Sequence, residues 1–207
     1  MDKQTTYNDF LQKLSGSDPV PGGGGAAAAA AALASSLGHM VGSLTVGKKK
    51  YADVEGKMVS LMEQARELTS CMLELINRDA EAFTDLAELY KLPADTEGTK
   101  MLKQRAMEPA LVKAAQVPLL IMEACGEIMV LLKEFGEFGS RLVISDAAAG
   151  AAICRGALQA ASINVYVNTK LMKDRGKAID LERCAEEILD TYLPMADDIV
   201  KSVQGRL

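Results

Sequence analysis

Residues 21–51 read PGGGGAAAAAAALASSLGHMVGSLTVGKKKY, and the fold turns on how this stretch is understood. Four glycines in a row form no regular element cheaply, because each loses more backbone freedom on ordering than any other residue. The seven alanines that follow are the best helix formers available. The reading is therefore a loop over residues 16–25 that opens directly into a helix. Such a helix start presents unpaired backbone N–H groups at the positive end of the dipole, an anion cradle. Lys48, Lys49 and Lys50 follow the helix, where cations suit its negative end. A plain entry loop before a closely packed helix with a solvated basic end explains the same residues.

Two phosphate-binding motifs are excluded. No Lys-Ser/Thr pair follows the glycines at P-loop spacing, and no strand precedes them as the dinucleotide fingerprint requires. Residues 26–46 are long enough to cross a membrane. Alanine is only weakly apolar, however, and Ser35, Ser36, His39, Ser43 and Thr45 interrupt the run. Gly38 and Gly42 fit a helix buried against other helices, and no membrane partner is expected.

Outward from this stretch the chain is helical throughout. Residues 3–14 form a short amphipathic helix. In the next helix Val54, Met58, Leu61, Ala65, Leu68, Met72, Leu75, Asp79, Ala82, Leu86 and Leu89 step by 4 and 3 without a break. That is the seam of a helix packed along its length, and only Asp79 on it is polar. It stops near Pro93. A fourth helix starts with Asp95 or Thr96 as N-cap and is kinked or divided at Pro109 and Pro118. Gly136 and Gly139 mark its end. A fifth spans residues 140–173 and is apolar nearly all round, hence central. Asp180 caps the last, which Pro194 is placed to kink. No stretch has strand periodicity. The expected fold class is all-α, an up-and-down bundle of long helices in one domain over residues 1–207, with surplus apolar surface that suits a dimer.

The 207 residues are 49% hydrophobic but only 4% aromatic, with 11 Met and no Trp, the composition of a helix-bundle core. A net charge of −5 gives no general attraction to nucleic acid. Cys71, Cys125, Cys154 and Cys184 form no C-x-x-C pair, and with one histidine they make no zinc set. Reduced, mostly buried thiols and the absence of a signal-peptide pattern predict a cytoplasmic protein.

Asp79 is the sharpest chemical signal. A carboxylate among apolar neighbours must be paired or shift its pKa upward, and in the second case it can exchange protons near neutral pH. A structural Asp bonded to a helix end or to a cation fits the same position. On the fifth helix Asp146 and Asn164 are 18 residues apart, five turns, with Asn168 one turn further. Gly150, Ile153, Ala157 and Ala161 lie between them. Polar groups separated by small residues leave room for a flat ligand, and equally permit close helix contact with buried polar links. The lone His39 reads as a core or interface histidine, and the methionines as core fillers.

These residues match a known pattern. PGGGGAAAA with HMVGSLTVGKKKY, then NRDAEAF at 77–83, VPL at 117–119, SDAAAGAA at 145–152 and NVYVN at 164–168, resembles the cyclodeaminase/cyclohydrolase family of folate enzymes. The resemblance covers almost the whole chain. Gly25 stands where relatives often carry serine, and nothing here matches a formiminotransferase domain. The resemblance implies an all-helical homodimer acting on tetrahydrofolate, as formimidoyltetrahydrofolate cyclodeaminase or, alternatively, methenyltetrahydrofolate cyclohydrolase. Asp79 matches the proposed catalytic aspartate. Asp146, Asn164 and Asn168 become candidates for the pterin edge, and Gly22, Gly23, Gly24, Lys48 and Lys50 for the glutamate carboxylates. No metal, nucleotide or other cofactor is expected beyond the folate substrate. A helical adaptor without enzymatic activity is the remaining alternative.

Overall fold

The computed structural model describes residues 6–207. Six helices follow one another: α1 Tyr7–Leu14, α2 Gly23–Ser43, α3 Glu55–Tyr90, α4 Glu97–Phe138, α5 Ile144–Thr169 and α6 Arg175–Gln204. A 3₁₀ turn, Lys49–Val54, leads into α3. No strand occurs among the described residues. Residues 3–5 of the expected first helix lie outside the described residues.

Local chemistry sets the ends. Thr6 and Asp9 form a reciprocal capping box on α1, and Thr96 caps α4, its hydroxyl taking the Thr99 N–H at 3.2 Å. The α3 seam is as expected: Met58, Leu61, Ala65, Met72, Leu75, Ala82 and Leu86 are all buried. From α2 onward each helix packs on the next, and α5 is central, lying against α2, α4 and α6. Close approach there requires glycine. A Cβ at Gly150 would sit 2.7 Å from Leu132 Cδ2 and 3.1 Å from the Ala34 carbonyl, and one at Gly38 would sit 2.8 Å from Phe135. Phe135, 1% exposed, fills the gap that Gly38 leaves. Truncating such a side chain to alanine costs roughly 3–5 kcal/mol.

Five expectations change. Gly23, Gly24 and Gly25 are not loop but the first turn of α2, because a side chain from α3 braces that turn. α4 runs undivided through Pro109 and Pro118, and at Pro118 the Asn168 amide of α5 makes good the bond the proline removes. α5 starts at Ile144 rather than 140. The preceding residues form a turn held by the Ser140 N–H on Thr45 Oγ1 (2.9 Å) and the Val143 N–H on the Ser140 carbonyl (2.8 Å). α5 ends at Thr169, and α6 is capped by Asp174, which accepts the Lys177 N–H at 3.1 Å, leaving Asp180 inside the helix.

The apolar windows of α2 and α4 are long enough to span a membrane by length and composition, but 56% and 72% of their residues are buried inside the bundle. The α2 run, expected to be a buried helix, is thus a core helix. Two of the four thiols, Cys125 and Cys154, are buried, while Cys71 is exposed.

Candidate active site

α2 begins without a capping side chain of its own, since its N-cap is Gly22. The missing acceptor comes from 54 residues away: Asp79 Oδ2 accepts the Gly25 N–H at 2.9 Å. Of the N–H groups expected to cradle an anion, that of Gly25 holds the protein's own Asp79 carboxyl. Both readings of Asp79 meet in this geometry. It bonds a helix end, and burial, outweighing the Gly25 N–H, raises its pKa above the usual 3.8. Glycine is what lets the carboxyl in. A Cβ at Gly24 would come within 2.5 Å of Asp79 Cγ, and one at Gly23 within 3.1 Å of Asn164 Nδ2.

Opposite Asp79 stand two amides of α5. Asn164 donates through Nδ2 to the Ala160 carbonyl at 2.8 Å. Asn168 Nδ2 donates to the Asn164 carbonyl at 2.8 Å and to the Ala114 carbonyl of α4 at 3.0 Å. With the nitrogens bonded to backbone, the carbonyl oxygens are the groups left to accept from a ligand. Asp79, Asn164, Asn168, Gly23 and Gly24 line one cleft of about 90 Å³. That is well below the roughly 300–1,000 Å³ of typical ligand pockets, room for a reacting group and not for a whole cofactor.

Phe83 and Ala114 also line this cleft and were not singled out from sequence. Phe83 is 39% exposed, large for an unburied aromatic. It follows Asp79 by four residues, so the two share one face of α3; that spacing was the available signal. Ala114 carries none, because its contribution is a backbone carbonyl.

Lys48, Lys50 and Asp146 do not join this cleft. Lys48 Nζ donates to Ser140 Oγ at 3.2 Å, and the Arg141 N–H bonds the Tyr51 hydroxyl at 3.1 Å. That bond, with Ser140 and the neighbouring lysines, holds the Tyr51 pKa below its usual range. Asp146 lies in the first turn of α5, beside this turn. The basic cluster thus sits past the C-terminus of α2 and the glycines at its N-terminus. For a 21-residue helix that separation is about 30 Å. His39 Nδ1 lies 3.3 Å from Ser43 Oγ, one turn further along α2, and does not line the cleft. No group of three or more His, Cys, Asp or Glu side chains arranged to hold a metal ion occurs among the described residues.

Comparison with known proteins places these residues in context. The family model described as formiminotransferase-cyclodeaminase matches residues 6–187. A methenyltetrahydrofolate cyclohydrolase from Methylorubrum extorquens is 35% identical over 202 residues, covering 98% of this chain and 97% of its own. The formimidoyltransferase-cyclodeaminase of Mus musculus is 29% identical over 170 residues, 82% of this chain but only 31% of the mouse protein. The crystal structure of a formiminotetrahydrofolate cyclodeaminase from Thermotoga maritima superimposes with a TM-score of 0.83 at 26% identity, covering 99% of this chain and 96% of that one.

Proposed function

The chain belongs to the formiminotransferase-cyclodeaminase family, and from that premise we propose that it is a folate one-carbon enzyme that cyclises 5-formimino-tetrahydrofolate with release of ammonia. The observation that carries this reading is the half-buried Asp79 carboxyl with its raised pKa, held on the Gly25 N–H beside a cleft. In the reaction N10 of the folate attacks the formimino carbon, and the resulting adduct carries an amino group on that carbon. Protonated Asp79 gives its proton to the amino nitrogen, the carbon–nitrogen bond breaks, and ammonia leaves. The carboxylate left behind stabilises the positive methenyl product. Asn164 and Asn168 offer acceptor oxygens to N–H donors on the pteridine edge, and Phe83 offers its ring face.

A second reading, methenyltetrahydrofolate cyclohydrolase, is favoured by the full-length similarity to the Methylorubrum extorquens protein. There the ionised Asp79 takes a proton from water attacking the methenyl carbon and returns it to N5 as the carbon–N5 bond breaks, while the hydroxyl proton of the adduct leaves to solvent, giving 10-formyl-tetrahydrofolate. One pair of assays separates the two. Cyclodeaminase activity releases ammonia from 5-formimino-tetrahydrofolate, and cyclohydrolase activity accelerates loss of methenyl absorbance above the buffer rate. Neither activity would leave a helical adaptor.

The working unit in this reading is a homodimer. The cleft is too small for a whole folate, and the basic cluster lies at the other end of α2. Exposed apolar side chains lie on the two helices concerned: Leu33 and Met40 on α2, Leu44 at its C-cap, and Ile153, Ile163 and Val167 on α5. The surface of 10986 Å² exceeds by about 1,600 Å² the roughly 9,300 Å² of a compact monomer of this mass. A second copy lying parallel would set Lys48, Lys49, Lys50 and Arg141 against their own copies. Antiparallel, it brings those cations to the neighbour's Asp79 cleft, where they can hold the glutamate carboxylates of the folate.

A further inference from the structure

Pro118 lies inside α4 and is buried there. Lacking an N–H, it cannot supply the bond that helix geometry directs to the carbonyl four residues earlier, which is that of Ala114. Ala114 faces the Asp79 cleft. The donor that reaches its carbonyl is Asn168 Nδ2, at 3.0 Å, while the same nitrogen bonds the Asn164 carbonyl at 2.8 Å. An amide nitrogen tied at two points on two helices cannot exchange places with its oxygen without losing both bonds.

We propose that Pro118 is a positioning residue: the carbonyl it leaves without a helical donor fixes the Asn168 amide, so that Oδ1 is presented to the cleft as an acceptor for an N–H of the substrate. The substrate's identity rests on the folate reading above; the bond itself does not.

The test uses the full chain in four forms: wild type, Pro118→Ala, Asn168→Ala and the double variant. Asn168→Ala strips the Ala114 carbonyl of its donor, and Pro118→Ala gives one back from within the helix. Pro118→Ala should therefore raise Tm by more on the Asn168→Ala background than on wild type, where propensity alone acts; an equal or smaller gain overturns the proposal. In turnover, Pro118→Ala should raise KM for 5-formimino-tetrahydrofolate about tenfold, equivalent to about 1.4 kcal/mol. Its kcat should stay within about twofold, with a Tm equal to or above wild type because a helix favours alanine over proline. On the Asn168→Ala background the same change should leave KM where it is. Pro118→Ser, which restores the same N–H, should reproduce the KM increase. A wild-type KM in Pro118→Ala, or KM increases that multiply in the double variant, would refute the positioning role. Wild-type protein with no turnover of any folate would instead sink the folate reading, and the melting comparison would still decide the bond.

Discussion

Replacing Gly24 by alanine adds one methyl group at the point where Asp79 enters the first turn of α2. That carbon would lie 2.5 Å from Asp79 Cγ and 2.7 Å from Oδ2. Because Cγ itself is too close, turning the carboxyl about its own bond does not relieve the clash, and the side chain must swing to another χ1 rotamer. The 2.9 Å bond from the Gly25 N–H then breaks. Loss of such a bond costs about 1–3 kcal/mol, and alanine returns up to about 1 kcal/mol of helix propensity. The net loss of stability is thus at most about 3 kcal/mol. Turnover suffers far more, since a displaced proton donor forfeits roughly 10²–10⁴ in rate. Gly25→Ala is the matched comparison. Its Cβ would meet Pro21 at 3.5 Å and Ile76 at 3.7 Å, ordinary contacts, and its N–H is kept. Ammonia release and chemical denaturation, measured on both variants, should show Gly24→Ala folded and nearly inactive and Gly25→Ala active. Wild-type kcat in Gly24→Ala would refute the placement of Asp79, and equal losses in both would assign the effect to the turn.

Three further outcomes follow from the same geometry. Asp79 binds its proton more tightly in the folded chain than in the unfolded one, so it lowers stability as pH rises above 3.8. Denaturant unfolding between pH 4 and 8 should show wild type losing stability relative to Asp79→Asn until the folded pKa is passed, then a constant difference; parallel curves throughout would contradict this. Lys48→Ala with Lys50→Ala should raise KM more for polyglutamylated folate than for the monoglutamate. Co-refolding that variant with Asp79→Asn should restore about a quarter of wild-type activity on the polyglutamate, because half the dimers are mixed and each holds one intact site; no recovery would place both groups in one subunit. Phe83→Ala, at an exposed position, should weaken folate binding by about 0.5–1.5 kcal/mol with a Tm near wild type, and unchanged affinity would remove it from the site.

The helix count and the α3 seam were readable in the sequence because both rest on periodicity, which needs no partner. Asp79 stood out for the same reason, as the one polar residue on that seam. What sequence could not show depends on distant partners. The glycines read as loop because their brace, Asp79, lies 54 residues away. Pro118 read as a break because its compensation, Asn168, lies on another helix. Asp146 and Asn164 do share a face of α5, but five turns separate them, and helical phase carries no information about which end of a helix meets the cleft. Lys48 and Lys50 were grouped with the glycines because both flank α2, and it is the length of that helix that parts them.

In the proposed folate reaction it is Asp79 that moves the proton. Asp79→Asn keeps an oxygen acceptor for the Gly25 N–H and removes the exchangeable carboxyl proton, so the fold and the cleft are retained. Single-turnover ammonia release from 5-formimino-tetrahydrofolate, with folate binding followed by thermal shift on the same sample, should show binding kept and release slowed by at least about a hundredfold. Release at the wild-type rate from this variant would contradict the account.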